Sequence, residues 1–116
     1  FANIAHFEEA ILGAVADHPQ ASHLLIVADG INSIDASGEE MLHNLVAQLQ
    51  ESGVEVVFSG LKKQVIDVMR ATGLLALIGE TNVFADEDHA LVDISVRLGE
   101  EAKDDALFCL LPRRDS

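Results

Sequence analysis

Five consecutive apolar residues, Leu24-Leu25-Ile26-Val27-Ala28, constrain this chain more than any other stretch. The run is too short for an ordinary helix and lacks the polar alternation of a half-exposed strand. It predicts a strand buried on both faces, so other elements must cover it above and below. Such strands belong to parallel sheets, whose neighbours are joined by long crossovers, usually helices.

The rest of the chain supplies those crossovers. Ile4, Phe7, Ile11 and Val15 recur at helical spacing with Glu8 and Glu9 on the polar side, and Asn3 is placed to cap. Pro19 interrupts the chain before the buried strand. After a turn over Gly30 to Asp35, Met41, Leu42, Leu45, Val46 and Leu49 mark one face of a second helix ending at Gly53. Val54, Val56, Val57 and Phe58 make a second strand, and Val65, Ile66, Val68 and Met69 a third helix that Gly73 closes.

The segment Leu74 to Gly79 reads as an apolar connection, and Val83, Phe84 and Ala85 fit a third, short strand. Asp86, Glu87 and Asp88 open a fourth helix with Ala90, Leu91, Ile94 and Leu98 inward, and acidic residues suit the positive end of its dipole. Charge dominates from Gly99 until an apolar patch at Ala106 to Leu111, so residues 99–116 read as a tail. The alternation of helices and short buried strands is that of a layered α/β domain with a largely parallel sheet. Three strands are few for 116 residues, and further strands are expected before Phe1, where the chain begins without Met as a cut piece would.

Composition excludes several functions. A chain of 116 residues fits a single domain. Seven Lys and Arg against twenty Asp and Glu leave a net charge of −13, which repels phosphate backbones and anionic headgroups. With five Phe and no Trp or Tyr, the core is aliphatic and there is little to stack on nucleic-acid bases. No apolar run is long enough to span a bilayer, and a lone cysteine, Cys109, with no secretory leader in view, fits a reducing compartment.

The tests for chemistry are mostly negative. The spaced glycines of a dinucleotide fold and the Lys-Ser ending of a phosphate loop are missing; Gly60-Leu61-Lys62-Lys63 reads as a strand-to-helix turn with solvated lysines. Asp29 suits a receiver domain, yet no lysine stands at the end of the third strand, Val83 to Ala85. No metal site is expected, because His6, His18, His23, His43 and His89 form no paired helical motif and Asp86 to His89 lack the spacing of a calcium loop. Cys109 and Ser59 have no partners that would make them nucleophiles, so the chain does not read as an enzyme and no cofactor is expected.

One loop stands apart. Ser37 and Glu40 have the spacing of a capping box, so Ser37 is expected to cap the second helix, contributing about 1 kcal/mol. Asp35 is expected to hold the loop by accepting backbone N–H bonds. Free N–H groups at this helix start could receive an anion, making Asp35, Ala36, Ser37 and Gly38 a candidate binding site for a ligand or partner.

At this loop the chain resembles the STAS domain, the module shared by sulfate transporters and anti-sigma-factor antagonists. The resemblance rests on Phe1-Ala2-Asn3 with the first helix, on residues Gly30 through Leu42, on Phe58 through Val65, and on Thr72-Gly73-Leu74-Leu75, Ile78-Gly79 and Asn82-Val83-Phe84. It covers residues 1–98 and implies a STAS-like layered α/β domain. Its sheet would be mixed but mostly parallel, with helices packed to one side and a leading hairpin cut away before Phe1. In the antagonist branch the residue directly after the aspartate accepts phosphate from a kinase; here it is Ala36, without a hydroxyl, so such a switch would move to Ser37 or be absent.

That departure favours the transporter branch. The resemblance implies the C-terminal cytoplasmic domain of a SulP-type transporter for sulfate, bicarbonate or dicarboxylate. It would be regulatory and non-catalytic, on the cytoplasmic face of the inner membrane, and would not itself enter the membrane. Its expected partners are the transmembrane domain of the same transporter, a second copy as a homodimer, or a cytosolic protein, with no nucleic acid. The alternatives are a soluble partner-switching regulator resembling the anti-sigma-factor antagonists, and a nucleotide or anion sensor.

Overall fold

In a computed structural model the described residues are 4–29, 31, 33–98 and 106–110, with side chains described for 7–29, 31 and 33–97. The elements run in the order α1 (Ile4–Asp17), β1 (His23–Val27), α2 (Ala36–Glu51), β2 (Glu55–Ser59), α3 (Lys63–Thr72), α4 (Leu74–Ile78), β3 (Val83–Phe84), α5 (Glu87–Leu98) and β4 (Ala106–Leu110). The expected cap Asn3 lies outside the described residues.

The five-residue apolar run builds the sheet as its pattern requires. Leu24 and Ile26 face one side and Leu25 the other, all at most 1% exposed. Burying such side chains stabilises the fold by about 1.5–3 kcal/mol each. The strand order is β3-β2-β1-β4, and every pairing among the described residues is parallel. Leu25 stands opposite Val57 of β2 and, in backbone register, Phe108 of β4.

Three expectations change. The patch assigned to a tail supplies β4, which flanks β1 on the edge that β2 does not occupy. Pairing between segments so far apart in the chain leaves no local sequence signal. The apolar connection after Gly73 is a helical turn, α4, because Leu74, Leu75 and Ile78 fall on one face and are buried. Gly73 permits the sharp junction between α3 and α4 with φ of 90°, in the left-handed region. Finally, helices cover both faces of the sheet rather than one. Helices α1 to α4 pack against Leu24, Ile26, Val56 and Phe58, whereas α5 packs Ala90 and Ile94 against Leu25 and Val57.

Candidate functional site at the start of α2

The site begins where β1 and β2 end side by side. The Ala28 N–H donates to the Ser59 carbonyl at 2.8 Å, and the Lys62 ammonium donates to the Asp29 carbonyl at 2.7 Å. Gly60 has φ of 74°, and a Cβ there would lie 1.7 Å from the Asp29 carboxylate. Glycine is therefore required for the two strand-end loops to approach this closely. Of the two lysines in this turn, Lys62 closes the loops together and Lys63 pairs with Asp67 on the surface at 3.0 Å.

From β1 the chain reaches α2, and the cap differs from the expectation. Asp35 is extended, with φ of −96° and ψ of 179°. Its carboxylate accepts the Gly38 N–H at 2.8 Å and its carbonyl accepts the Glu39 N–H at 2.9 Å. Asp35 is thus the N-cap, and Ser37 and Glu40 both lie inside the helix, so the expected Ser37–Glu40 capping box does not form. Both Asp35-x-x-Gly38 and Ser37-x-x-Glu40 have cap spacing. The earlier start gains extra helical hydrogen bonds and puts a full negative charge at the positive end of the helix. The expectation that Asp35 accepts backbone N–H groups agrees with this geometry.

Two open clefts flank the helix start. One, of about 620 Å³, has Asp35, Glu39, Glu40 and His43 on one wall and Val68 and Thr72 of α3 on the other. A smaller one, of about 330 Å³, lies toward α1, where Glu8 faces Ser37, Glu40 and Asn44. The Thr72 hydroxyl donates to Glu39, which also lies 3.9 Å from His43 Nδ1. This contact ties α2 to the end of α3. Ala36 and Ser37 are exposed, and Gly38 is buried beneath the turn.

Of the four residues expected at the site, Asp35 caps, Gly38 receives that cap, and Ala36 and Ser37 face outward. Glu39, His43, Val68 and Thr72 were not foreseen. Glu39 and Thr72 are 33 positions apart, and only the packing of α2 on α3 joins them. The rim is acidic: an anion arriving at the helix start would meet the carboxylates of Asp35, Glu39 and Glu40, with the Gly38 N–H already engaged. A cationic group would be attracted. No cluster of three His, Cys, Asp or Glu side chains able to hold a metal occurs among the described residues.

The other helix start, at α5, carries the shifted titration. The Asp86 carboxylate accepts the His89 N–H at 2.8 Å and the imidazole Nδ1 at 2.7 Å. The backbone bond first, and then the imidazole, hold Asp86 below its ordinary carboxylate value.

Comparison with known proteins bears on these features. The family model described as STAS domain matches residues 1–90. High affinity sulfate transporter 2 of Stylosanthes hamata is 28% identical over 93 residues, an alignment covering 72% of this chain and 14% of that protein. The chain therefore spans a small part of that relative's length. Among solved structures, the SulP transporter STAS domain of Vibrio cholerae aligns with a TM-score of 0.70 at 25% identity, covering 89% of this chain and 77% of its own. A sulfate transporter family protein of Wolinella succinogenes aligns at 0.70 and 20% identity, covering 80% and 75%. The murine Solute Carrier 26 family member A9 anion transporter shares the fold at 0.68 and 20% identity, covering 83% of this chain and 16% of the transporter.

Proposed function

This chain belongs to the STAS domain family, and on that premise we propose that it is the cytoplasmic regulatory and docking domain of a SulP-type anion transporter, with no catalytic role. One observation carries the reading: a sulfate transporter contains a stretch that matches most of this chain while being itself several times longer. No helix among the described residues is long and apolar enough to cross a membrane, so the work assigned to this chain is binding rather than conduction.

The acidic surface supports docking. Cytoplasmic loops of membrane proteins are rich in Lys and Arg, and a domain with net charge −13 complements them. The rim of Asp35, Glu39 and Glu40 around the start of α2 offers such loops a carboxylate-lined edge. On this reading sulfate, bicarbonate or dicarboxylate would be cargo of the transmembrane part.

The test is anion uptake by cells expressing the whole encoded protein or the same protein lacking residues 1–98. The reading predicts sulfate, bicarbonate or dicarboxylate uptake by the whole protein and altered uptake on deletion. A coding sequence with no membrane-spanning segments on either side of this chain contradicts it.

A second reading, a partner-switching regulator resembling the anti-sigma-factor antagonists, is favoured by one feature. Because Asp35 makes the cap, the Ser37 hydroxyl is exposed and not consumed by it. Stoichiometric phosphate on Ser37 after incubation with a serine kinase of that class would support this second reading, and an unmodified chain would dismiss it.

A further inference from the structure

Three large hydrophobic side chains are exposed among the described residues: Val68, Val92 and Val96. The last two are the most exposed, at 65% and 76%, and lie one turn apart on α5. With Phe84 of β3 they line an open groove of about 420 Å³ whose rim carries Asp88, His89 and Asp93. The stripe Asp88, Val92, Val96 follows helical spacing, on the side of α5 opposite Ala90 and Ile94 that pack on the sheet. None of these residues serves the rim at α2.

We propose that this groove binds a basic amphipathic helix, whose apolar side covers Val92, Val96 and Phe84 and whose Lys or Arg residues reach the acidic start of α5. Charge selects this occupant. Asp93 is already engaged by Arg97, and Asp86 by His89, whereas Asp88 and Glu87 have no ion-pair partner among the described residues. A second copy of the chain fits poorly. Arg97 is the sole Lys or Arg of α5, and it is committed to Asp93, Glu55 and Asn82, so a second α5 has no free cation to offer. Two chains of net charge −13 also repel. An uncharged apolar segment would leave Asp88, on the groove's rim, without compensation. The groove is read from α5 and β3 alone and stands whether or not the transporter reading does.

The test is a titration of the isotopically labelled 116-residue chain, followed by amide chemical shifts, with two helical peptides of roughly 14 residues. One carries leucines on a single face and lysines elsewhere; the other has glutamates in place of the lysines. The lysine peptide is expected to shift the amides of Phe84, Asp88, Val92 and Val96, and the glutamate peptide to leave them in place. The double variant Val92→Ser, Val96→Ser keeps the charge and, altering exposed positions, keeps the fold; it should weaken binding about tenfold. Asp88→Asn should weaken it about threefold and reduce its salt dependence. Shifts scattered over the acidic faces of α1 and α2, or unchanged affinity of the double variant, would overturn the proposal. So would α5 resonances that broaden with protein concentration in the absence of peptide, which would assign the face to a second copy.

Discussion

The two faces of the sheet are made alike and covered unlike. Leu24 and Ile26 on one face and Leu25 on the other are equally buried, as are Val56 and Phe58 against Val57. Yet the first face lies under α1 to α4, with Phe7, Ile11, Leu42, Leu45, Met69 and Leu74 among the side chains of a large core. The second lies under α5, whose fully buried contribution is Ala90 and Ile94. A strand's own sequence reports that it is buried but not how deeply its cover extends. The lesson is a division of labour: the thick side sets the fold and places the rim at α2, and the thin side leaves Val92 and Val96 open to a partner.

The sharpest way to break this contrast is to truncate one core residue on each side. Leu45→Ala should cost about 4 kcal/mol and Ile94→Ala about 2 kcal/mol in denaturant unfolding, because the thin cover relaxes around the lost side-chain carbons more readily. Equal losses would show that the two covers are equally tight. Next in size is Gly60→Ala, expected to cost about 2 kcal/mol because it combines positive φ with a collision against Asp29. Gly53→Ala, with positive φ but open space around it, should cost only about 1 kcal/mol. The difference between the two melts measures how tightly the strand-end loops are held on the site's side.

Smaller effects separate the two helix starts. Asp35→Ala should lower stability by about 1 kcal/mol, while Ser37→Ala stays within about 0.5 kcal/mol, since Asp35 is the cap. Thermal melts that rank them the other way would restore the capping box. At α5 the effect is a pH dependence. The Asp86 carboxyl is held low in the folded chain, so its contribution is present above the unfolded value and is lost as pH falls through the folded one. Asp86→Asn keeps a capping oxygen but no charge. The melting-temperature gap between the two proteins should therefore be widest near about pH 7 and close on acidification.

What could be read from the sequence follows the same physical divide between local and distant information. The run at residues 24–28, the helical spacing of Leu42, Leu45, Val46 and Leu49, and Gly73 after Thr72 are local signals, and β1, α2 and the end of α3 stand where they point. Leu74 to Ile78 is too short for periodicity to separate a helical turn from an extended link, so α4 emerged only with its packing. Ala106 to Leu111 reads as a patch in a tail because β1, the partner of β4, lies near the other end of the chain. At the site, Asp35 was legible as a loop-holding acceptor. Two overlapping cap spacings hid which residue would win, and the Glu39–Thr72 contact depends wholly on how two helices meet.

Residue-resolved hydrogen exchange of the 116-residue chain under native conditions tests the contrast between the faces most directly. The account predicts that the amides of α5 open at a clearly lower free energy than those of β1, β2 and α2, and that the lysine-bearing helical peptide raises protection in α5. Exchange of α5 only through global unfolding, at the same rate as β1 and β2, would contradict it.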